Sequence, residues 1–112
     1  MKLDFPARGF IMAVSELYLK RDAKVREHLA QYAPVWLINE KIISSDESVQ
    51  FEVLFQHNLY GWTNRRYVYD GFNNVLYHKG QVPAEPDLVE SLIAKAPWIS
   101  TTVADIPNAY GG

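Results

Sequence analysis

The stretch Pro34 to Gln81, PVWLINEKIISSDESVQFEVLFQHNLYGWTNRRYVYDGFNNVLYHKGQ, decides the fold. Val49, Phe51, Val53 and Phe55 recur at every second position, with Gln50, Glu52 and Gln56 between them. Successive side chains of a strand point to opposite faces, so this period marks a half-buried strand. Leu54 alone breaks its polar side. Val35 to Ile43 is rich in β-branched and aromatic residues that suit a pleated surface. The intervening Ser44-Ser45-Asp46-Glu47 reads as a four-residue hairpin loop. Pairing Ile43 with Ser48 sets Trp36 opposite Phe55, Ile38 opposite Val53 and Ile42 opposite Val49, which collects the large apolar groups on one face.

A second hairpin follows. Arg65 to Tyr69 and Val75 to Lys79 flank Asp70-Gly71-Phe72-Asn73-Asn74, where Gly71 is expected at positive φ. That loop pairs Tyr69 with Val75 and Tyr67 with Tyr77. One face of the resulting four-stranded antiparallel meander then carries Trp36, Ile38, Ile42, Val49, Phe51, Val53, Phe55, Tyr67, Tyr69, Val75 and Tyr77 as core. The opposite face is mixed, with Val35, Leu37, Leu54, Val68 and Leu76 among Asn39, Lys41, Glu52, Gln56, Arg66 and His78.

Outward from the sheet, Phe10, Val14, Leu17, Tyr18, Val25, Leu29 and Tyr32 recur at helical spacing within residues 1–33. This predicts one long helix, or a pair if Asp22 caps a second one. Pro34 stops it. Pro86 suits the first position of a helix in residues 82–97, with Asp87 and Glu90 at the positive end of its dipole. Leu88, Val89, Leu92, Ile93 and Ala96 form its expected buried side, and Pro97 ends it. Residues 98–112 are too apolar at Trp98, Ile99, Val103 and Ile106 for a free end and are expected to pack as an arm. The fold class is α+β: a single domain of 112 residues with helices to one side of the sheet.

Composition narrows the chemistry. At 48% hydrophobic and 21% charged residues the chain is an ordinary globular sequence. The absence of cysteine excludes disulfides, thiolate nucleophiles and cysteine-bound metals, and fits a cytoplasmic location. A net charge of -2 argues against a nucleic-acid partner, whose phosphates demand basic surface. No apolar run has the length of a membrane span, so no membrane partner is expected.

Gly-x-Ser-x-Gly, P-loop and dinucleotide-binding patterns are missing. His28, His57 and His78 lie far apart with no metal-ligand spacing, so no metal or other cofactor is expected. His57 ends the Phe51, Val53, Phe55 series and reads as a hydrogen-bonded strand-end histidine. Arg66 and His78 become neighbours on the mixed face with Glu52 one strand away. A carboxylate, a guanidinium and an imidazole together suit a small anion or acid–base work. The segment Asn58 to Asn64, NLYGWTN, places Tyr60 and Trp62 in a loop beside Arg65 and Arg66, a composition that anchors protein interfaces.

Two functional readings follow. The five aliphatic residues Val35, Leu37, Leu54, Val68 and Leu76 on the mixed face predict a small binding or assembly module that self-associates, a homodimer being the simplest form, or meets a protein partner. The alternative is a small enzyme or ligand carrier with an aromatic-lined pocket between sheet and helices. The residue pattern favours binding over catalysis.

Overall fold

The computed structural model describes residues 4–43 and 47–100, with side chains from residue 14 onward. Helix α1 (Asp4–Leu29) leads through a 3-10 turn (Ala30–Tyr32) into strands β1 (Val35–Ile43), β2 (Ser48–His57), β3 (Gly61–Asp70) and β4 (Val75–Pro83), followed by α2 (Pro86–Ile93). The strands form one antiparallel sheet in the order β1-β2-β3-β4. This is the α+β meander that the alternation predicts.

One continuous helix runs through Arg21 and Asp22. Leu17, Arg21, Val25 and Leu29, four residues apart, form its buried row. Phe10 lies outside the described side chains. The row packs on Val49, Phe51, Val53, Phe55, Tyr67 and Tyr69. Arg21 is 2% exposed yet charged, and bonds Asp22 and Glu40 across to β1. Its guanidinium also lies over the Tyr18, Phe51 and Trp98 rings at 5.0–5.2 Å. Aromatic faces and two carboxylates together offset the cost of burying this cation.

Both hairpins depart from the expected register. In the first, Ile42 opposes Val49 and Ile43 opposes Ser48, but Trp36 opposes Leu54 and Val35 opposes Phe55. Ile38 is the extra residue of a β-bulge between Leu37 and Asn39. The insertion turns Val35 and Leu37 into the α1 core and sends Trp36 and Ile38 to the second face. In the second hairpin Asp70, not Tyr69, opposes Val75, so Tyr69 meets Leu76 and Val68 meets Tyr77. Leu76 therefore joins the core, while Val75 and Tyr77 are exposed.

The second face has its own cover. Trp36, Leu54 and Val89 form a buried cluster, with Ile38, Trp62, Ala84 and Leu92 against it. Thus α2 packs opposite to α1, and the helices do not share one side of the sheet. The Trp36 indole donates to the Lys95 carbonyl at 2.9 Å, the partner its buried N–H needs. Ile93 and Ala96, expected to be buried, face solvent. Trp98 and Ile99 turn back onto β1, where Ile99 bridges Val35 and is itself buried. The rest of the expected arm, and Ser44 to Asp46 of the first loop, lie outside the described residues.

Gly71 is required for a different reason than expected. Among the described residues the positive-φ ones are Gly61, Gly80 and Asn74. A Cβ at Gly71 would collide with the Leu17 side chain and the Glu47 carbonyl. Gly71→Val should destabilise the fold by about 1–3 kcal/mol through this overpacking, measured by chemical denaturation. Phe55→Ala, which empties a fully buried site against Tyr32, should cost about 3–5 kcal/mol in the same assay.

Candidate functional site

The half of the second face that α2 leaves open holds a groove of about 300 Å3, lined by Glu52, Asn64, Arg66, Lys79, Gly80, Gln81 and Val82. Local geometry assembles it. Glu52 opposes Arg66, and Arg66 in turn opposes Gly80. A second bulge falls between Arg66 and Tyr67, with Lys79 as the extra residue of β4. Gly80 follows at φ +127, a conformation open to glycine and disfavoured for side-chain residues, although a Cβ there would meet nothing within 4 Å. The bulge brings the Lys79 side chain to the groove beside Arg66.

The groove carries two cations and one carboxylate, with Val82 as its apolar wall. Among the described residues no carboxylate lies within ion-pairing distance of Arg66 or Lys79. Asn39 approaches Glu52 at 3.5 Å, the edge of hydrogen bonding. Such a site can hold an anion through Arg66 and Lys79 and a hydroxyl or ammonium group through Glu52.

The expected site residues separate. Glu52 and Arg66 share the groove, but His78 does not join them. The register set by the turn, with Asp70 opposite Val75, places it opposite Tyr67 on the α1 side, where its ring packs on Tyr67 and its Nδ1 accepts from the Gly80 N–H at 3.0 Å. Arg65 is likewise on the α1 side and 7% exposed, bonding Gln81 and the Tyr67 hydroxyl, with its guanidinium over Tyr32 and Phe55. His57 accepts from the N–H groups of Leu59 and Tyr60 through Nδ1. Tyr60 is exposed in the turn, whereas Trp62 belongs to β3 and packs edge-on against Trp36.

The expected aliphatic stripe dissolves as well. Val35, Leu37 and Leu76 belong to the α1 core, and Leu54 is fully buried beneath α2. Of the five, only Val68 remains on the open half, half-buried. Asn64, Lys79, Gly80, Gln81 and Val82 are the groove residues that strand alternation did not single out. Lys79-Gly80 inside a strand pattern was the available signal, since an internal glycine often marks a bulge.

Fold and site define an α+β sheet protein with a long helix on one face and, on the other, a short helix beside an open cationic groove. Comparison with known families, characterised proteins and solved structures finds nothing that matches this chain.

Burial raises the Tyr67 hydroxyl above its ordinary value of 10.0, opposed in part by Arg65, and burial with the Asp70 charge raises Tyr69. The unfolded chain then loses these protons first as pH rises. Stability is fully present below about pH 10 and falls as pH climbs toward the folded-state values. Alkaline denaturation should begin there, and Tyr69→Phe should shift its onset upward in a thermal melt series.

Proposed function

We propose that this protein is a small binding module that holds an anionic group in the groove between Arg66 and Lys79. The observation that supports it is a concave polar site whose two cations face no carboxylate within ion-pairing reach among the described residues. Asn64 adds an amide donor at the rim. Glu52 biases the site toward a ligand that brings a hydrogen-bond donor with its acidic group. Binding is favoured over catalysis because the groove pairs no nucleophile with a base.

Nucleic acid is a poor occupant, since the groove supplies two cations on a chain of net charge -2. No helix among the described residues is long and apolar enough to cross a membrane.

Inorganic phosphate and citrate are the probes. Titration followed by amide chemical shifts should move Asn64, Gly80 and Gln81, and Arg66→Ala or Lys79→Ala should weaken binding by about tenfold. Absence of saturable shifts, or shifts indifferent to both substitutions, would remove the proposal.

A further inference from the structure

We propose that the macromolecular occupant of this groove is the acidic outer side of α2 from a second copy of the chain, so that two copies pair through their second faces. The proposal rests on the groove being an anion site and names the anion.

Charge on this face is divided. Glu85, Asp87 and Glu90 are exposed around α2, whose Val89 and Leu92 turn toward the sheet. Lys41, Arg66 and Lys79 are exposed on the half that α2 leaves bare and outnumber the half-buried Glu52 of the groove. A twofold axis through the face exchanges the halves. Each acidic helix then meets the partner's basic groove, and the contact is made twice.

Shape agrees with charge. Because α2 stands on one half only, the bare half lies as a step beside it, and a partner carries the same step. Val82 at 59% exposure, Tyr77 and Val75 border the bare half, and Ile93 is exposed on α2. Closing the pair removes these apolar groups from water together. Since Asp87, Glu90, Arg66 and Lys79 are surface groups, the association should be modest and sensitive to salt.

A charge exchange tests the pairing. Light scattering at low ionic strength should show the intact chain as a dimer. Arg66→Glu with Lys79→Glu, and separately Asp87→Lys with Glu90→Lys, should each weaken the dimer by at least about tenfold while circular dichroism stays unchanged. An equimolar mixture of the two variants should restore dimers, because both contacts in the mixed pair again join opposite charges. A monomeric intact chain, or dimers that survive in both variants, overturns the proposal. Phosphate binding by a monomeric chain would leave the anion groove standing and this partner excluded, whereas loss of both phosphate binding and dimerisation would remove both.

Discussion

Val53, Leu54 and Phe55 are three consecutive strand residues with no exposed surface. A strand that buries successive side chains needs cover on both faces, whereas a meander with one helical layer covers only one. The rest of the molecule answers that requirement. Helix α1 lies over Val53 and Phe55, α2 lies over Leu54, and the chain crosses from one face to the other between Tyr32 and Pro86. The groove exists because the second cover is short: eight residues of α2 shield the Leu54 end of the sheet and leave the Glu52 and Arg66 end uncovered.

The local features of this fold were legible in the sequence. The period of β2, the stop at Pro34, the start of α2 at Pro86 and the pairing of Ile43 with Ser48 follow from side-chain alternation and proline geometry. The placement of β1 and β4 did not follow, and the reason is specific. Both strands are apolar in both parities: Val35 and Leu37 compete with Trp36 and Ile38, and Leu76 competes with Val75 and Tyr77. A one-residue shift, by a bulge in β1 and by the turn before β4, then exchanges faces at almost no cost in pattern. Cover decides between them, and cover is a tertiary property. Leu54 carried the missing information, since an apolar residue interrupting the polar side of an alternating strand signals that this side too is covered.

The candidate site inherited that ambiguity. Glu52 and Arg66 were identifiable because no bulge separates β2 from β3. His78 was misplaced because Asp70 rather than Tyr69 pairs with Val75, and Lys79 was overlooked because a bulge interrupts the β3–β4 pairing just beyond His78. Arg65 was read as an interface residue beside Tyr60 and Trp62. It is instead buried among Tyr32, Phe55 and Tyr67, as Arg21 is among Tyr18, Phe51 and Trp98. A planar, weakly hydrated guanidinium tolerates an aromatic enclosure that a lysine ammonium would not. The α1 side of the sheet is thus held by two stacked arginines as well as by hydrocarbon, and the cations that the sheet presents to solvent are Lys41, Arg66 and Lys79.

The three tryptophans are divided between the two layers. Trp36 and Trp62 touch each other at the seam under α2, with the Trp36 N–H tied to the Lys95 carbonyl, while Trp98 lies against Phe51 and the Arg21 guanidinium on the far side of the sheet. The molecule therefore carries an optical label on each cover. Emission from the Trp36 and Trp62 pair senses the polarity and hydrogen bonding of the α2 seam, and emission from Trp98 senses whether α1 and its arginine are in place. Loosening of one layer before the other would register as two spectral steps, so the intrinsic light of the protein separates fraying of the short helix from loss of the fold.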